Sequence, residues 1–109
     1  MDPLPMAPSC SLDEAGARLQ LGRYRRVGRG ARTVSRSRRR LVVDLERSVD
    51  PQLVGEAIAI ERACCPFFTL EWDPDRPRLT VSVSRTEDEP ALDAIAFALD
   101  VEPARAASG

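Results

Sequence analysis

The chain has 109 residues, enough for one domain with a modest core and too few for two. Hydrophobic residues make up 43% and charged residues 30%, which excludes a disordered chain, and no run of about 18 apolar residues offers a membrane span. The net charge is only -1, but histidine is absent, which removes the commonest general base and the commonest transition-metal ligand.

Residues 1–9 carry three prolines and lack the basic region and apolar core of a secretory signal. They read as a flexible lead, and the protein as cytoplasmic, where thiols stay reduced. A single α+β domain is expected over 10–102, followed by a flexible tail over 103–109. Ser11 and Glu14 have the spacing of a capping box, and Leu12, Ala15, Leu19 and Tyr24 give a helical stripe that Gly28 or Gly30 ends. Ala31 to Arg36 and Arg39 to Glu46 read as a hairpin turning near Ser37 and Arg38, with Leu41, Val43 and Leu45 on one face.

Asp50 and Pro51 open a second helix with a capping carboxylate and a proline at the first helical position. Leu53, Val54, Ala57, Ile58, Ile60 and Cys64 supply its apolar face, and Pro66 ends it by pushing Cys65 out of helical geometry. Phe68, Leu70 and Trp72 alternate as a third strand; Leu79, Val81 and Val83 form a fourth after a turn at residues 73–77. Thr86 to Glu89 repeats the capping-box spacing before a last helix bearing Leu92, Ile95, Ala96 and Leu99. The order is α-β-β-α-β-β-α. Short links make neighbours antiparallel, giving a two-layer sandwich with the helices on one face of a mainly antiparallel sheet.

The chemistry concentrates at Cys64 and Cys65, with Cys10 as the third cysteine. Three cysteines leave one over in any disulfide scheme, which argues against a disulfide framework. The pair stands at a helix C-terminus, where the dipole disfavours thiolate, and Glu61 one turn earlier adds to that penalty. This opposes a nucleophilic enzyme. A bound cation reverses the balance, because a metal deprotonates its thiol ligands. Soft thiolates select Zn(II), Cu(I), Hg(II) or arsenic species. Cys10, Cys64 and Cys65 are the candidate metal ligands, with Glu61 as a supporting or fourth ligand. The alternatives are that the thiols only fill the core and that Glu61 is an ordinary exposed helical carboxylate. The topology puts the start of the first helix and the end of the second at one end of the domain, which brings Cys10 toward the pair.

Glu61-x-x-Cys64-Cys65-Pro66-Phe67, with Cys10-Ser11-Leu12 upstream, resembles a group of small, largely uncharacterised bacterial proteins with an E-x-x-C-C-P-F/L motif. Some of these are associated with heavy-metal-resistance gene neighbourhoods. The resemblance implies that Cys10, Glu61, Cys64 and Cys65 form one site.

Every basic residue is arginine, and most lie between Arg18 and Arg47. Within the segment 23–40, Arg23, Arg25, Arg26, Arg38, Arg39 and Arg40 are candidate anion or nucleic-acid contacts, since arginine pairs bidentately with phosphate. Only Tyr24 offers a stacking aromatic there, so a basic surface paired with the acidic C-terminal half competes with that reading. The sequence supports a non-enzymatic protein that binds a thiophilic ion for sequestration, sensing or delivery. A nucleic-acid or protein-interaction module and a thiol oxidoreductase are the alternatives, the last lacking the usual two residues between its sulfurs.

Overall fold

The computed structural model describes residues 13–101; the lead, Cys10, Ser11 and the tail from residue 102 lie outside the described residues. The first helix, α1 (Glu14–Val27), is capped by Asp13, whose side chain accepts from the Gly16 N–H at 2.7 Å. The cap expected at Ser11 therefore falls two residues later. The buried stripe of α1 is Ala17, Gln20, Tyr24 and Val27, and Leu19, expected inside, is 63% exposed. Apolarity alone misjudged the rotation of this helix, because Gln20 and Tyr24 find polar partners inside the protein.

β1 (Arg32–Ser37) and β2 (Arg40–Asp44) form the expected hairpin, with a register irregularity between Thr33 and Ser35 and a two-residue turn at Arg38 and Arg39. α2 (Pro51–Cys64) starts at Asp50, which accepts from the Gln52 N–H at 3.0 Å, and stops where Pro66 forbids continuation. β3 (Thr69–Asp73) and β4 (Arg78–Ser82) follow. Thr86 to Asp88 make a 3-10 turn before α3 (Glu89–Leu99), and no side-chain cap forms there. The expected capping threonine is used elsewhere: its hydroxyl accepts from Arg39 at 2.8 Å.

The four strands run antiparallel in the order β1-β2-β4-β3. Leu41, Val43, Leu70, Leu79 and Val81 point to one face and are at most 2% exposed. All three helices close over that face, forming one core with Tyr24, Val27, Val54, Ala57, Ile58, Leu92, Ile95 and Leu99. This is the two-layer α+β sandwich. Among the described residues no helix is long and apolar enough to cross a membrane.

Directions matter for the site. α3 starts beside the β1–β2 turn, where Arg39 reaches Glu89 at 3.1 Å. At its other end, Arg25 lies over the Phe97 ring and Gly28 meets the Leu99 backbone. α1 therefore runs alongside α3 in the same direction, away from the turn. α2 begins after β2 has left the turn and runs back toward it. The C-terminus of α2 and the N-terminus of α1 consequently share one end of the sheet.

Two outcomes follow from these contacts. A Cβ built on Gly28 would stand 2.0 Å from the Leu99 carbonyl oxygen, so Gly28→Ala must push α1 off α3. Chemical denaturation should show a loss of about 1–3 kcal/mol or more. At the far end of the sheet, Arg78 donates to Asp44 at 2.7 Å, and that hydrogen bond holds the Asp44 carboxyl below its ordinary pKa. A carboxyl depressed in the folded state stabilises above its unfolded pKa and loses that contribution as pH falls through its folded value. Stability curves of Asp44→Asn should therefore fall less steeply below about pH 4 than those of the parent.

Candidate metal centre

Glu61, Cys64 and Cys65 each place a ligating atom so that all three lie within 4.8 Å of one another, and all three residues are buried. Glu61 and Cys64 share the inner face of α2, being three residues apart on a helix of 3.6 residues per turn. Cys65 would point about 100° away if the helix continued. Pro66 removes it from the helix: Cys65 adopts φ -132° and ψ 72°, while its N–H still donates to the Glu61 carbonyl at 2.7 Å. The turn is closed by the Phe68 N–H donating to the Cys65 carbonyl at 3.2 Å. The two sulfurs come to 3.6 Å, in contact but far beyond the roughly 2 Å of a disulfide bond.

The carboxylate is held from the neighbouring helix. Glu61 Oε1 accepts from the Tyr24 hydroxyl at 2.8 Å and from Gln20 Nε2 at 3.1 Å. Gln20 Nε2 also donates to the Ala57 carbonyl at 2.9 Å, and Arg23 donates to Gln20 Oε1 at 3.1 Å. Glu61 is 3% exposed and Gln20 2%, and they are the buried polar side chains of the described core. The reading of Glu61 as an exposed helical carboxylate is thus overturned. Gln20 and Tyr24 were not singled out from the sequence as site residues. The available sign was a glutamine interrupting the Ala17, Tyr24, Val27 stripe, which needs a buried partner to be tolerated.

No described arginine forms an ion pair with Glu61. Arg62, next in sequence, turns its guanidinium to the Leu70 carbonyl at 2.7 Å, tying α2 to β3. The Glu61 carboxylate and the negative end of the α2 dipole both lie beside the sulfurs. Burial is the main cause that raises the Tyr24 hydroxyl well above its ordinary pKa, and the Glu61 charge reinforces it.

Cys10 lies outside the described residues, and Asp13, three residues after it, stands at the sheet end that holds Cys64 and Cys65. The candidate arginines are dispersed rather than gathered. Arg23 serves Gln20 and Glu56, Arg25 covers Phe97, and Arg39 is tied to Glu89, Ser84 and Thr86. Arg26, Arg38 and Arg40 are exposed. Arg23, Arg25 and Arg26 belong to the second half of α1, whereas Arg38, Arg39 and Arg40 sit at the hairpin turn. The two groups thus sit on different elements.

Tyr24 is the chain's one tyrosine, so its phenolate absorbance reports this position alone. A raised folded pKa means that stability is retained below the unfolded value of about 10 and lost as pH rises above it. An alkaline titration should show phenolate appearing above the usual range and together with loss of helical circular dichroism. A Tyr24 that ionises near pH 10 in a folded protein would contradict the buried hydroxyl–carboxylate contact. No protein-family model, curated protein or solved structure matches this chain, so fold and site stand on their own geometry.

Proposed function

We propose that this protein binds a thiophilic metal or metalloid ion through Cys64, Cys65 and Glu61, with Cys10 as a further sulfur ligand, and serves in sequestration, sensing or delivery. The observation that carries the reading is the buried Glu61 carboxylate converging on two buried sulfurs, with no ion pair to Glu61 among the described residues. A buried charge without a counter-ion costs several kcal/mol. A cation between the carboxylate and the sulfurs offsets that cost and supplies the positive charge that favours thiolates at a helix C-terminus. Plain packing accounts for the cysteines, and the Tyr24 and Gln20 hydrogen bonds satisfy one carboxylate oxygen without supplying a counter-charge.

The shared end of α1 and α2 supports the place of Cys10 in the site. The short Glu61-x-x-Cys64-Cys65-Pro66-Phe67 motif resembles that of a group of which some members are associated with heavy-metal-resistance gene neighbourhoods, which fits a role in handling thiophilic ions. The dispersal of the arginines gives no such support to a nucleic-acid role.

Anaerobically purified, reduced protein should bind one thiophilic ion per chain and develop a thiolate-to-metal charge-transfer band. Cys64→Ser and Cys65→Ser should remain folded and lose the band. If both variants bind zinc, copper(I), mercury(II) and arsenite as tightly as the parent, the proposal fails. Cys10→Ser should weaken binding without unfolding the domain.

A further inference from the structure

We infer that Gln20 and Tyr24 are positioning residues that hold Glu61 as an oxygen ligand, and that they thereby bias the thiol pair toward a borderline divalent ion of the zinc or cadmium kind over univalent copper. The inference rests on the metal-binding reading above and adds to it which ion the site favours and which residues outside the ligand set enforce that choice.

Three observations carry it. The first is the spacing of the sulfurs. Two sulfurs each about 2.3 Å from one ion stand roughly 3.8 Å apart at a tetrahedral angle and roughly 4.6 Å apart in a linear arrangement. The observed separation is 3.6 Å, which suits a bent S–metal–S unit and leaves a linear two-thiolate site strained. Adjacent residues joined through a proline-terminated helix end have little freedom to spread further.

The second is charge. Two thiolates and a carboxylate carry three negative charges in a place where no described arginine pairs with Glu61. A univalent ion offsets one of them and a divalent ion two. Burial makes that difference costly, and any added thiolate enlarges it.

The third is the way the carboxylate is fixed. Both donors from α1 land on Oε1, which holds the carboxylate in place with an oxygen within 4.8 Å of both sulfurs. Gln20 is itself pinned by the Ala57 carbonyl and by Arg23, so the amide cannot rotate away. Ligand-orienting hydrogen bonds of this kind commonly change metal affinity by about 10- to 100-fold. An oxygen donor contributes to zinc and cadmium and little to copper(I), which thiolates satisfy alone.

The test is chelator competition on the full chain under reducing conditions, with zinc and copper(I) as separate probes. Tyr24→Phe and Glu61→Gln keep the side-chain shapes, and Gln20→Leu removes the amide. The variants should bind zinc about 10-fold more weakly or worse while copper(I) affinity stays within about twofold. Tyr24→Phe should cost nothing further in the Glu61→Gln background, an outcome that general destabilisation would not produce. Zinc-edge X-ray absorption should show sulfur and oxygen neighbours in the parent and loss of the protein oxygen in Glu61→Gln.

Parallel losses for both ions, or no loss for either in folded variants, would overturn the inference and leave the metal site standing. A parent that binds neither ion would remove the site and this inference with it. If Gln20→Leu does not fold, the two isosteric variants decide.

Discussion

The hydrogen bonds that cross from α1 to the Glu61 carboxylate organise this small domain. A carboxylate buried to 3% exposure must be satisfied, and the donors it receives are Tyr24 and Gln20, one helical turn apart on α1. Meeting that demand fixes the rotation of α1, which turns Leu19 outward and draws Gln20 into the core. It also fixes how α1 sits on α2. The glycines at positions 16 and 22 weaken the intrinsic helix, so its order depends on tertiary contacts of this kind.

A second constraint acts on the other side of the carboxylate. Pro66 cannot follow a helical residue comfortably, so α2 stops at Cys64 and the backbone of Cys65 swings away. What would be two divergent thiols in a continuous helix becomes a pair in contact. The helix end that receives them carries partial negative charge, and a carboxylate lies within 4.8 Å of both sulfurs. Each feature alone is unremarkable in a protein core. Together they make a group of side chains that could hold a metal ion.

The arginines serve a different purpose. Arg36 pairs with Asp93 at 2.7 Å, Arg39 with Glu89 at 3.1 Å and Arg78 with Asp44 at 2.7 Å. These contacts lace the basic hairpin to the acidic last helix and hold β2 to β4. Solvent-exposed ion pairs add little stability singly, typically under about 1 kcal/mol, and these three are only partly covered, Arg36 most deeply. Their effect is on register and partner choice, because opposite charges match one segment to the other. Part of the charge asymmetry along the chain is thus met within the fold.

The element order, the strand faces, the Asp50–Pro51 start of α2 and its Pro66 stop were legible in the sequence, because period, capping chemistry and proline sterics act over a few residues. The antiparallel two-layer arrangement followed from short links. Cys64 and Cys65 were also legible as a candidate site, since adjacent thiols before a proline are conspicuous in a histidine-free chain. The N-cap was misplaced by two residues, where a second capping residue, Asp13, competed with Ser11. The tertiary structure alone decided that Glu61 is inside and that Gln20 and Tyr24 hold it. A carboxylate, an amide and a phenol have no periodicity that marks them as buried; their burial depends on partners about forty residues away, and only the packing of α1 on α2 brings those partners together.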